Sequence, residues 1–228
     1  MGFLGTWLEG MRIGSDRSPV STAAALRDTL SAQAAFVAQK VVTEYCQAKA
    51  GRNWPQLSSE ATFVADLARS RWEAFAILLA DVFLIAESLI RPDSRDLDPA
   101  AERRLVALYA EALAAYPRPA HRPGGWDDRV TAFAARLAAA GRAPPAVTRD
   151  IVAVGGRAVF GVLPIHINMR RLDGPMVTNA IAFQMAAVAG RLRRRLDRAT
   201  LVAALGTEGS ETGGGSETPG WRASGSAS

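Results

Sequence analysis

Few side chains in this sequence carry reactive chemistry. There are two histidines, His121 and His166, and one cysteine, Cys46. A histidine acting as base or nucleophile partner needs a second reactive group within hydrogen-bond reach. His166 lies in the stretch GVLPIHINMRRLDGP (residues 161–175), between Pro164 and Asn168, where no sequence neighbour supplies such a group. Pro164 interrupts the preceding helix, and Asp173, Gly174 and Pro175 make a helix start. The expectation is a connector in which His166 and Asn168 bond the exposed backbone of two helix ends. A role in a pocket is the alternative. His121, in the loop PRPAHRPGG (residues 117–125), reads as a surface residue.

Carboxylates offer a second kind of chemistry. With about 100° of turn per residue, Asp66, Arg69, Glu73, Glu87 and Arg91 fall within one stripe of a long helix, with Asp81 at its margin. Arg69 and Glu73 are four apart and so placed to pair. The stripe is either a solvated line on an otherwise buried helix or a polar seam satisfied by arginines from other helices. A third reading is a pocket containing a carboxylate whose pKa is raised by burial. It makes Glu73, Asp81 and His166 the candidate pocket residues.

Other signatures are missing. The sequence has no Glu-x-x-His pair for a di-iron bundle and no His-Glu-x-x-His for a zinc protease. Asp127 and Asp128 lack a third acid at metal-binding spacing and sit where the helix dipole favours acids. Gly155, Gly156 and Gly161 come without the lysine of a phosphate loop. Cys46 alone forms neither an internal disulfide nor a multi-cysteine zinc site, and reads as a small core residue. No catalytic residue, metal or cofactor is assigned.

The elements that must position these groups read as helices throughout. The first starts at Ser18-Pro19, carries Leu26, Leu30, Ala34, Val37, Val41 and Tyr45 on one face, and closes at Gly51. The second runs from about Ser59 to Ile90. Its stretch from Trp72 to Ile90 nearly matches a bilayer in length, yet holds Glu73, Asp81 and Glu87; an acid at the bilayer centre costs about 2.5–3.5 kcal/mol. It reads as a central helix rather than a span. A third begins at Asp98-Pro99 and a fourth near Trp126. The fifth is weakened by Gly155-Gly156. The sixth starts near Gly174, places Ile181, Met185, Val188, Leu192 and Leu196 on one face, and extends towards Leu205. The expected fold class is all-α: a bundle-like domain of about six helices over residues 18–205.

Two extensions flank it. In residues 1–14, Phe3, Leu4, Trp7, Leu8 and Met11 form one apolar helical face that must rest on the body, a partner or a membrane interface. Residues 206–228, rich in Gly, Ser, Glu and Thr, read as a disordered tail. No secretory leader is evident in the sequence.

The net charge is +5, with Lys40 and Lys49 the only lysines. Arginine and alanine at this level fit a GC-rich bacterial genome, so placement of the charge matters more than its sum. Arg191, Arg194, Arg195 and Arg198 group beside the apolar stripe of the last helix. The leading expectation is a non-enzymatic helical interaction protein (adaptor, accessory subunit or assembly factor) that docks through the N-terminal apolar helix and this basic face. Another protein is the expected partner, ahead of an anionic membrane surface and of nucleic acid, since no aromatics interleave the arginines to stack bases. An enzyme or small-ligand module built on Glu73, Asp81 and His166 is the remaining alternative. The expected location is the cytoplasm, with peripheral attachment to the inner membrane face as its variant.

Overall fold

The computed structural model describes residues 18–91 and 96–206. The apolar segment of residues 1–14 and the tail from residue 207 lie outside the described residues. Among those described, the architecture is all-α: α1 (Ala23–Ala50), the short α2 (Trp54–Leu57), α3 (Ala61–Ile90), α4 (Pro99–Ala114), α5 (Asp127–Gly141), α6 (Thr148–Val162), the single-turn α7 (Ile167–Arg170), α8 (Gly174–Arg195) and α9 (Arg198–Gly206). No helix among them is long and apolar enough to cross a membrane.

α3 is the axis of the molecule. Every residue from Trp72 to Glu87 is buried, as expected of a helix that is apolar almost all round. α1, α4, α5, α6, α8 and α9 all pack against it. Phe83 meets Tyr109 and Phe133 edge-on, and those two rings stack at 4.4 Å. The Tyr109 hydroxyl donates to the Ala76 carbonyl at 2.9 Å, so the polar tip of this buried ring is satisfied. Each such phenyl contributes about 1.5–3 kcal/mol by leaving water. Cys46 is also buried and reduced, and burial pushes its thiol up to about 11.

Two boundaries differ from the sequence reading, for one reason. Val20 is buried and pairs in parallel with Leu196: the Val20 N–H donates to the Arg195 carbonyl at 2.8 Å, and the Asp197 N–H donates to the Val20 carbonyl at 3.0 Å. Ser18 to Val20 therefore belong to no helix. α1 begins at Ala23 instead, with the Thr22 hydroxyl accepting from the Ala25 N–H. The same pairing occupies the Arg195 carbonyl and breaks the last helix. Asp197 then restarts the chain as α9 by accepting from the Thr200 N–H. What reads as one sixth helix is two.

The glycine pair in α6 has a packing reason. A Cβ at Gly155 would lie 1.8 Å from Asp81 Oδ2, and one at Gly156 would lie 2.9 Å from the Thr178 methyl. The missing side chains let α6 close onto α3 on one side and α8 on the other.

Candidate functional site

The acid stripe of α3 divides along its length. Asp66 and Arg69 are exposed, whereas Glu73, Asp81, Glu87 and Arg91 are buried. The buried part is a polar seam. Glu73 accepts from Arg122 Nε at 2.6 Å, Arg122 Nη2 at 2.7 Å and Arg129 Nη2 at 2.5 Å, and its Oε1 lies 3.0 Å from His121 Nε2. It faces these groups rather than Arg69. Burial alone would raise its pKa, but the hydrogen bonds and charges of Arg122 and Arg129 outweigh that and hold the carboxyl at about 2. Arg122 Nη1 also reaches both oxygens of Asp128, at 2.7 and 2.8 Å, while its guanidinium lies 4.8 Å from the Trp126 ring centre. Asp128 thus serves an ion pair as well as the first turn of α5. His121 is correspondingly half-buried rather than free in solvent: its side chain meets Glu73 of α3 and its ring stands edge-on to Trp126.

An open cleft of about 540 Å³ lies here, lined by Asp66, Arg69, Glu73, His121, Arg122 and Arg129 together with residues 161–164. Neither Asp81 nor His166 lines it. Asp81 is 0% exposed, further along α3, where Arg136 Nη2 donates to its Oδ1 at 2.7 Å. Its Oδ2, against Gly155, has no hydrogen-bond partner. Burial outweighs the Arg136 charge and pushes this carboxyl up to about 6. His166 is exposed and caps α7, its Nδ1 accepting from the Asn168 N–H at 3.3 Å. The structure therefore does not bring Glu73, Asp81 and His166 together. Among the described residues no group of three or more His, Cys, Asp or Glu side chains is placed to hold a metal.

The four arginines of the basic face are also separated. Arg191 donates to the Gln33 side chain at 2.9 and 2.7 Å, and Arg195 reaches the Ser18 carbonyl at 3.3 Å. Arg198 stands beyond the helix break and donates to the Ile90 and Arg91 carbonyls at 2.9 and 2.8 Å. Arg194 is exposed, beside exposed Arg193.

Sequence reasoning did not single out Arg170, the organiser of the His166 connector. It is buried, and its guanidinium donates to the carbonyls of Phe160, Gly161 and Ile165 while lying over the Phe160 ring. Nor did it find the outer face of α8. The stripe opposite the core runs Met176, Ala180, Phe183, Ala187, at alternating steps of four and three, and all four are exposed; Phe183 is 75% exposed and Met176 55%. Leu172, 83% exposed, precedes it. The available signal was the lack of any charged residue from Gly174 to Gly190. An outer helix face in water ordinarily carries charge.

No family model matches the chain, and comparison with curated proteins and with solved structures finds no similar chain.

Proposed function

We propose that the protein is a helical interaction module, of the adaptor or accessory-subunit kind, that receives an apolar helix of a partner protein on the outer face of α8. The observation that carries this reading is the uncharged outer stripe with Phe183 and Met176 standing in solvent. A contiguous apolar patch rimmed by charge is a common form of contact surface, and a helix laid along such a stripe buries residues at i, i+3, i+4 and i+7. Arg193 and Arg194 border the patch, which favours a partner helix with an acidic end. The basic face thereby becomes a rim, since Arg191 and Arg198 are engaged within the fold.

The test is a photo-crosslinking amino acid at Phe183 in the native host, with one at exposed Ala135 on α5 as control. A discrete adduct with a second protein from position 183 alone, lost in a Met176→Glu background, supports the reading. Equal labelling at both positions, or none at 183, removes it.

A second reading, a small-anion site in the Glu73 cleft, rests on one observation. Arg129 Nε is buried without a hydrogen bond, its ion-pair partner Asp128 Oδ2 standing off at 4.0 Å, and Arg69 lines the same cleft. An anion seated there would stabilise the native chain by mass action. Citrate or phosphate should then raise the melting temperature above that in chloride at equal ionic strength, and Arg129→Gln should abolish the difference. No difference in the unsubstituted protein rejects the site.

A further inference from the structure

The point at which residues 1–17 join the body bears directly on the uncovered face of α8. Ser18 accepts from Arg195, and Val20 pairs with Leu196, at the C-terminal end of α8. The pairing is parallel, so the chain at Val20 runs in the same direction as residues 195 to 197, where α8 ends. Residues 18 to 20 are thus held at the C-terminal end of α8, and the chain that precedes them starts from there.

The reach fits. From Leu196 back to Phe183 is thirteen residues of sequence, about 20 Å at 1.5 Å per residue, and Met176 lies about 30 Å back. From Val20 to Met11 is nine residues, which extend to about 30 Å at most. Residues 3 to 11 as a helix would cover about 13 Å, close to the length of the stripe from Met176 to Ala187. The chemistry also fits. The segment's apolar side groups are Phe3, Leu4, Trp7, Leu8 and Met11, and the stripe sets Phe183 and Met176 among Ala180, Ala187 and Gly190. Large residues on one side thus meet small ones on the other. Gly190 is open to such an approach, because the only atom a Cβ there would meet is Arg194 Nη1, at 3.7 Å. The segment's side-chain charges balance, Glu9 and Asp16 against Arg12 and Arg17, so the fit rests on reach and apolar chemistry.

We infer that the chain's own N-terminal segment, through Leu4, Trp7, Leu8 and Met11, is the resident occupant of the outer face of α8 and competes there with the partner helix. This rests on the reading of that face as a docking surface. The segment becomes a covering strap that a partner must displace, so the effective concentration of the strap sets the threshold for partner binding. The apolar face of residues 1–14 and that of α8 then complement one another instead of being two separate contact surfaces.

The experiment uses the full chain, purified without partners. A nitroxide is attached through Glu9→Cys, on the side of the segment away from its apolar stripe; Cys46 is buried and stays unlabelled. The expected result is loss of amide signals at Met176, Ala180, Phe183 and Ala187, with those of α5 retained. Adding Trp7→Glu and Leu8→Glu should restore the α8 signals. Unaffected α8 signals, or loss spread evenly over α5 and α8, overturn the inference. So does loss that appears only when spin-labelled and isotope-labelled chains are mixed, because the occupant is then a second copy. The photo-crosslink at position 183 in the native host is read independently. An adduct there without broadening here keeps the docking surface and discards only the strap.

Discussion

At the scale of the residue, the two buried acids of α3 have opposite consequences for pH. Asp81 has a folded value of about 6 against an ordinary 3.8. The folded chain therefore holds an extra proton between about pH 4 and 6, and stability rises as pH is lowered through that window. Glu73 has a folded value of about 2 against 4.5. Its contribution is complete above pH 4.5 and is lost as pH falls towards 2. Denaturation from pH 7 downwards should show a gain before the loss, with Asp81→Asn removing the gain and Glu73→Gln flattening the part of the loss that Glu73 supplies. A monotonic fall in both the parent and the Asp81→Asn variant would show that Asp81 is ionised throughout. His166 and Arg170 make a second contrast. His166→Asn should cost less than about 1 kcal/mol, because an exposed cap is exchanged for another hydrogen-bonding side chain. Arg170→Met should cost about 3 kcal/mol by leaving three carbonyls without their donor; urea titration measures both. The helix stripe was sufficient to nominate Glu73 and Asp81. Their partners come from 48 to 56 positions away in sequence, and no local pattern encodes which guanidinium arrives.

At the scale of the element, the arginine content has a structural use. Helix C-termini leave carbonyls without partners, and here guanidinium groups from elsewhere close them: Arg91 on Ala140 and Gly141 at the end of α5, Arg198 on Ile90 and Arg91 at the end of α3, and Arg170 at the end of α6. A planar fork donates to two carbonyls at once, which an ammonium does with less geometric definition. Arg198→Lys should therefore destabilise by about 1 kcal/mol although charge is kept, as a urea midpoint would show. Glycines give the matching test on α6 and α8. Gly155→Ala places a methyl against Asp81 and should cost about 3 kcal/mol. Gly190→Ala in an otherwise open position should gain up to about 1 kcal/mol by helix propensity, less whatever contact the strap makes there. Periodicity made the helices and their buried faces legible, including Ile181, Met185, Val188 and Leu192, all buried. The break at Leu196 was not, because it is imposed by Val20, 176 residues earlier in the chain.

At the scale of the whole molecule, the uncovered face of α8 predicts behaviour in solution. In the chain carrying Trp7→Glu and Leu8→Glu, where that face is open, Phe183→Gln should leave thermal stability within about 0.5 kcal/mol, as exposed positions usually do, while lowering binding of a hydrophobic dye. Unchanged dye binding in that background would show that Phe183 is no part of an apolar contact surface. All-α class and the central position of α3 follow from composition and pattern, whereas function does not, since an interaction surface is defined by what fits it. The pairing of Val20 with Leu196 has one more consequence, for biosynthesis. The partner of Val20 is made 176 residues after it, roughly 10–35 s at 5–20 residues per second. Throughout that interval the stretch around Val20 lacks its anchor and is available to chaperones. Growth of the nascent chain past Leu196 is what first allows Val20 to be secured.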